Sequence, residues 1–150
     1  FQYDVFGDGN DLSQLYYFID RYQLHDYVNV KGSIDNDVLK TKLRDYDFLV
    51  QLSYSEALPT TVLEAQSAGL PCVVSNSDGL AEAVIPNETG ISHHFSELDL
   101  FVDETIKLWK DEQRYYSFSE KAIEYVNQNF SIENEIDRLK SLYENLMTVE

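Results

Sequence analysis

Two glutamates eight positions apart, Glu56 and Glu64, bracket the segment Ala57-Leu58-Pro59-Thr60-Thr61-Val62-Leu63. An ionised carboxylate only accepts hydrogen bonds, so a pair of them suits a hydroxyl-rich partner such as a ribose or hexose. Two carboxylates across a loop also invite a general acid/base reading. If a helix starts near Pro59 or Thr60, its first amides lack intrahelical acceptors, and Glu64 falls on the same face as Thr60 and Thr61. Such a helix start also offers amides and partial positive charge to a small anion. A purely structural alternative stands beside this: Thr61-Val62-Leu63-Glu64 matches a capping box, in which Glu64 only reaches back to the Thr61 amide. Glu56 alone reads equally as an exposed loop carboxylate.

The other candidates carry less. Gly7-Asp8-Gly9 does not complete a dinucleotide fingerprint, because Leu12 stands where its third glycine belongs, and a tight turn accounts for it. His93 and His94 have no metal-ligand spacing with Cys72 or a nearby carboxylate. Cys72, the single cysteine, lies in the apolar run Leu70-Pro71-Cys72-Val73-Val74 and reads as a small core residue. No Ser/His/Asp or Cys/His arrangement and no phosphate-binding loop can be assembled.

The elements that must position Glu56 and Glu64 alternate in type. Tyr3 to Gly7 forms a short strand, and Asp11 to Tyr22 carries Leu12, Leu15, Tyr16 and Ile19 at helical spacing. Val28 to Gly32 is a second strand, after which Asn36 or Asp37 can cap a short helix with Val38, Leu39 and Leu43 as its stripe. Asp47 to Leu52 is a third strand, delivering Glu56 onto the loop at its C-terminal end. The helix from Pro59 stops near Gly69, and Pro71 to Ser75 is a fourth strand, read as apolar throughout. Four alternations argue for a parallel sheet with helices on both faces, in which ligands bind at the C-terminal strand edge. Leu80 to Val84 makes a helical turn and Ile91 to His93 a short strand. Three helices complete the chain: Ser96 or Asp99 to Trp109, Asp111 to Asn127, and Ile132 to Met147. The last sets Ile136, Leu139, Tyr143 and Leu146 on one face, expected to pack.

With 150 residues, 43% hydrophobic and 13% aromatic, the chain reads as one globular domain, 1–150. No apolar run approaches the roughly 20 residues that span a bilayer, and the first residues lack the features of a signal peptide. A cytoplasmic setting is expected. The absent initiator methionine and the immediate buried strand read as a fragment of a longer chain. A net charge of −16 opposes nucleic acid as a partner. Residues 51–95 hold five acidic residues and no Lys or Arg, so an anionic ligand at the glutamate pair would need cations from elsewhere.

Taken together, the blocks resemble the retaining family-4 (group 1) glycosyltransferases, in the C-terminal nucleotide-sugar-binding domain of the GT-B fold. Val5-Phe6-Gly7-Asp8-Gly9 is similar to that family's G-D-G strand end, and Val28 to Gly32 to its next strand. Ser53 to Pro71 resembles the signature S-x-x-E-G-x-P-x-x-x-L-E-A-x-x-x-G-x-P. Asp78 to Glu82, Asn87 to Gly90 and Asn129 to Glu133 resemble later family segments. The resemblance implies a Rossmann-like domain without its first β-α unit, binding the donor for transfer of a sugar from a nucleotide diphosphate sugar to an acceptor hydroxyl. Anomeric configuration would be retained, and no metal or other cofactor required.

By the same resemblance, Glu56 is the catalytic glutamate beside the donor sugar, and Glu64 accepts from the ribose hydroxyls. Leu58, Thr60 and Thr61 match positions whose amides approach the sugar or diphosphate, while Gly32, Ser33 and Ile34 match the loop beside the base. Three departures stand out. Ala57 replaces the usual glycine, which would cost about 1 kcal/mol if φ were positive there. Pro59 removes one amide donor. The Arg and Lys that relatives set against the diphosphate match no residue of this chain, so the isolated fragment is expected to be inactive. The acceptor, a glycan or glycolipid of cell-surface polysaccharide or lipid-linked synthesis, would be held by an absent N-terminal domain. Any contact with the inner face of the membrane would run through that domain too. An alternative is a non-catalytic nucleotide-sugar-binding or regulatory module of the same fold, to which Ala57 lends weight.

Overall fold

The computed structural model describes residues 1–147, which divide into two compact units, Phe1–Thr41 and the residues from Lys42 on. In the first, β1 (Tyr3–Phe6) pairs in parallel with β2 (Val28–Gly32), joined through α1 (Leu12–Arg21). Tyr3 lies opposite Val28 and Val5 opposite Val30, and the register then slips so that Phe6 meets Gly32. The Gly7 amide donates to the Gly32 carbonyl at 2.9 Å, closing the C-terminal end of the pair. α2 (Asn36–Lys42) is capped one residue earlier than expected: Asp35 Oδ1 accepts from the amides of Asp37 at 2.9 Å and Val38 at 3.4 Å. Three adjacent residues, Asp35, Asn36 and Asp37, can each serve as a cap, and the first of them does.

The second unit opens on a 3-10 turn at Leu43–Asp45 and continues through β3 (Leu49–Gln51), α3 (Thr60–Ser67), β4 (Cys72–Ser75), α4 (Asp78–Ala83) and β5 (Gly90–His93). Three helices follow: α5 (Leu98–Lys110), α6 (Glu112–Asn129) and α7 (Ile132–Met147). The strands run parallel in the order β3-β4-β5, as the alternation requires, with β4 buried along its whole length. Successive side chains of a strand point to opposite faces. Accordingly Val73 and Ile91 pack with Phe101 and Leu108 of α5 and Phe118 of α6, while Cys72 Sγ lies 3.7 Å from the Val62 carbonyl of α3. Helices therefore cover both faces of this sheet. Complete burial pushes the Cys72 thiol far above its ordinary pKa, as the sequence reading of a core cysteine requires.

α3 ends where Gly69 was expected to stop it. Gly69 takes φ +82°, its amide donates to the Gln66 carbonyl at 2.9 Å, and the Leu70 amide returns to the Ala65 carbonyl at 2.9 Å. This Schellman arrangement satisfies carbonyls that the helix end would leave open. Inside it, the buried Gln66 Nε2 donates to the Ala83 carbonyl at 2.6 Å and ties α3 to α4.

One packing expectation fails. α7 spans Ile132–Met147 as its periodicity predicts, yet none of its residues is buried, and Tyr143 and Leu146 remain 63% and 64% exposed. Periodicity reports that a helix has an apolar face; it does not supply the surface that covers it.

Candidate functional site

The loop that carries Glu56 leaves β3 and is pinned to the turn after β4. Gln51, the last residue of β3, donates from Nε2 to Glu56 Oε1 at 3.1 Å, and Ser53 Oγ approaches the same oxygen at 3.5 Å. The buried Ser75 Oγ accepts from the Ser53 amide at 2.8 Å and donates to the Ser53 carbonyl at 2.6 Å, where Ser77 Oγ also donates at 2.8 Å. Ser55 Oγ donates to Asp78 Oδ2 at 2.7 Å, and the Gly79 amide donates to the Glu56 carbonyl at 2.9 Å. Asp78 occupies φ +34°, a left-handed conformation that Asp tolerates better than most residues. The approach is tight enough that a Cβ on Gly79 would fall 2.0 Å from the Ala57 carbonyl oxygen. Glu56 is thus half-buried and held on both sides, by a side-chain amide at its carboxylate and a backbone amide at its carbonyl.

Ala57 itself has no positive φ. The penalty expected for a methyl group at this position, which depended on a positive φ, therefore does not arise.

The start of α3 is built by Pro59. At φ −78° and ψ 81° it centres an inverse γ-turn, in which the Thr60 amide donates to the Leu58 carbonyl at 2.9 Å. Pro59 is also the N-cap residue: its carbonyl accepts from Val62 at 2.9 Å and Leu63 at 3.2 Å, and no side chain caps the helix. The capping-box reading is therefore overturned. Thr61 is the second residue of the helix rather than its cap, so Glu64 has no cap amide to reach back to. Of the three amides the resemblance singles out, that of Thr60 is turned onto Leu58, while that of Thr61 donates to no acceptor among the described residues. Glu64 lies one turn further on, half-buried, with Oε2 shielded from solvent. Leu58 is 50% exposed at the loop's edge.

In the first unit, Gly32 ends β2 at φ +72°, a conformation that favours glycine, with exposed Ser33 and half-buried Ile34 after it. His93 ends β5 and bonds Glu104 Oε2 through Nε2 at 2.9 Å, while His94 Nδ1 lies 2.7 Å from Ser96 Oγ. Both histidines are thus engaged locally. Gln51, Ser75 and Gly79 were not singled out by sequence reasoning. The signal for the first two was a polar residue closing an otherwise apolar strand, Leu49-Val50-Gln51 and Cys72-Val73-Val74-Ser75.

Comparison with known proteins gives this geometry a context. Residues 1–125 match the family model described as glycosyl transferases group 1. The N-acetyl-alpha-D-glucosaminyl L-malate synthase of Bacillus anthracis is 26% identical over 137 residues, covering 91% of this chain and 35% of the relative. An Escherichia coli UDP-Gal:alpha-D-GlcNAc-diphosphoundecaprenol alpha-1,3-galactosyltransferase is 29% identical over 145 residues, covering 93% and 35%. The chain thus spans about a third of the length of these relatives. Among solved structures, Anabaena HepE in complex with UDP and glucose superposes with a TM-score of 0.82 at 19% identity, over 99% of this chain and 41% of that one. The likeness establishes the fold expected from the strand-helix alternation, the Rossmann-like half of a GT-B architecture.

Proposed function

Because the chain belongs to the group 1 glycosyl transferases, we propose that it is the donor-binding part of a retaining enzyme moving a hexose from a nucleotide diphosphate sugar to an acceptor hydroxyl. The observation that carries this reading is the pairing of a held Glu56 with a half-buried Glu64, set on either side of the helix start at Thr60. In the proposed site Glu64 accepts hydrogen bonds from the ribose hydroxyls, and the Thr61 amide donates to a diphosphate or sugar oxygen. Glu56, oriented by Gln51, lies beside the transferred sugar. Gly32, Ser33 and Ile34 of the first unit are assigned to the base. The absence of Lys and Arg from residues 51–95 means that the charge of the departing diphosphate is to be met by cations outside this stretch. The reaction is proposed to need no metal, and this part alone is proposed to be inactive. Removing one such charge-stabilising donor typically costs about 10² to 10³ in rate.

UDP-Gal is named as donor by the E. coli relative, whose acceptor is a diphosphoundecaprenol-linked sugar. This supports a cell-surface glycan or glycolipid acceptor for the whole protein, held by a further domain at the cytoplasmic side of the membrane. No helix among the described residues is long and apolar enough to cross a membrane. Ala57, which lent weight to the alternative of a non-catalytic module, has no positive φ and so no longer argues for it.

The test is calorimetric titration of the full-length polypeptide with UDP- and GDP-sugars, followed by the same titration of Glu64→Ala. Loss of hydrogen bonds to a charged acceptor is worth about 1.5–3 kcal/mol, a weakening of about 10- to 150-fold. Unchanged donor affinity and transfer in that variant would sink the assignment of Glu64.

A further inference from the structure

The loops after β3 and β5 meet although their strands are not neighbours. β4 lies between them, so the two strands are about 9.5 Å apart at strand spacing. Tyr54 from the first loop and Phe95 from the second nevertheless contact edge to face, with ring centroids 4.5 Å apart, and the His94 ring lies 4.3 Å from Phe95. Both rings stay open to solvent: Tyr54 is 78% exposed and Phe95 40%. Hydrophobic burial does not explain them, since an isolated core contact would hide the rings it joins.

Their place is specific. Tyr54 lies between Ser53, which approaches Glu56 Oε1, and Ser55, which holds Asp78, so its backbone is fixed two residues from the proposed catalytic carboxylate. His94 is set by its bond to Ser96 Oγ and by its amide's bond to Glu97 Oε2 at 3.0 Å. The surroundings are acidic, with Asp78, Glu97 and Glu104 near by and no Lys or Arg between Arg44 and Lys107. Such a surface repels phosphate and carboxylate groups. A neutral ring with an apolar face of C–H groups and a rim of hydroxyls is what it accepts. The electron-rich faces of Tyr54 and Phe95 attract the weakly positive C–H face, and acidic neighbours accept from the hydroxyls.

We propose that Tyr54, Phe95 and His94 form the platform on which the acceptor's terminal pyranose ring stacks as it approaches Glu56. This rests on the proposed transferase reading and adds to it the class of acceptor group recognised: an uncharged sugar ring rather than the charged or lipid part of the acceptor. The proposed function already assigns the donor to Glu64, the Thr61 amide and Glu56, which leaves the acceptor's ring as the occupant of the platform.

Three variants of the full-length polypeptide test this: Tyr54→Ala, Phe95→Ala and Tyr54→Phe. The high exposure of Tyr54 means that its truncation removes little packing, and a melting curve checks this for each. Donor affinity is read by titration with the UDP- or GDP-sugar that the parent binds. Acceptor engagement is read as KM for methyl α-glycosides of glucose, galactose and N-acetylglucosamine, and as saturation transfer from protein to the glycoside ring protons. Loss of one stacking ring should raise acceptor KM about five- to tenfold, with donor affinity within twofold of the parent, and Tyr54→Phe should behave as the parent does. Unchanged acceptor KM in both alanine variants, or a parallel loss of donor affinity, overturns the platform and leaves the donor site standing. A parent that binds no nucleotide sugar overturns the transferase reading and the platform with it.

Discussion

Gly79→Ala is the substitution that most directly tests whether the position of Glu56 is set by the turn after β4. The added Cβ would stand 2.0 Å from the Ala57 carbonyl oxygen, 2.7 Å from its carbon and 2.9 Å from the Glu56 carbonyl oxygen. Atoms of this kind keep at least 3.0 Å, so relieving the worst contact alone moves one backbone by about 1 Å (3.0 less 2.0). The obstacle is main chain and cannot rotate away. The same movement stretches the 2.9 Å bond from the Gly79 amide to the Glu56 carbonyl. Overpacking of this sort costs about 1–3 kcal/mol, and a lost hydrogen bond about 1 kcal/mol more. For a domain of this size that is a fall in Tm of about 4–16 °C. A 1 Å displacement of a reacting group can also cost about 100-fold in rate, so transfer should fall even at temperatures where the protein stays folded. Differential scanning calorimetry and a donor-saturated transfer assay on the full-length polypeptide measure the two effects. Gly9→Ala is the control, because nothing lies within 4 Å of its added Cβ and its φ is ordinary. Should Gly79→Ala melt within about 1 °C of the parent and keep full turnover, the loop is not held as described and the account of Glu56 fails.

Two further outcomes follow from single contacts. Gln51→Glu replaces the donor 3.1 Å from Glu56 Oε1 with a second carboxylate, so the pair must share a proton and one pKa rises in the folded state. A raised carboxyl pKa means that the folded variant binds more protons than the unfolded chain, so its deficit relative to the parent is small near pH 4 and grows as pH rises to 7. At one pKa unit, and partly screened by solvent, the deficit is about 1 kcal/mol; melting curves at the two pH values measure it, and a pH-independent difference refutes the contact. Cys72 should not react with a thiol-specific reagent in the native protein, since it is fully buried and its pKa is raised by desolvation. Its modification should track unfolding in denaturant, and rapid native labelling would contradict its place under α3.

What the sequence disclosed about the site and what it withheld differ in range along the chain. The strands were legible because each is a short apolar run closed by a turn, and the α3 terminus because Gly69 alone could take its φ of +82° without cost. The cap at Pro59 was not, since proline has no side-chain oxygen to announce a helix start, and Thr61 offered a false one. The tethers on Glu56 were legible only in part. Gln51 lies only five residues away but inside a run read as strand to Leu52, so it was not singled out, and Ser75 and Gly79 reach the loop from more than twenty residues on, across a strand pairing that no local pattern encodes. The stripe on α7 marks the opposite limit, since its spacing was correct and its burial was not.

The eight-residue interval between the glutamates has a structural cause in these details. Glu56 must sit low enough in the loop for Gln51 to reach its carboxylate and Gly79 its carbonyl. Glu64 must wait until the γ-turn at Pro59 has reversed the chain and one turn of α3 has brought a side chain round to the face bearing Thr60 and Thr61. Shortening the interval by one residue would rotate Glu64 about 100° away from that face, and lengthening it by one would do the same in the other sense. The spacing is therefore a geometric constraint. It joins a carboxylate fixed by strand β3 and the β4 turn to one fixed by helix phase, with the Thr61 amide, which has no acceptor among the described residues, between them.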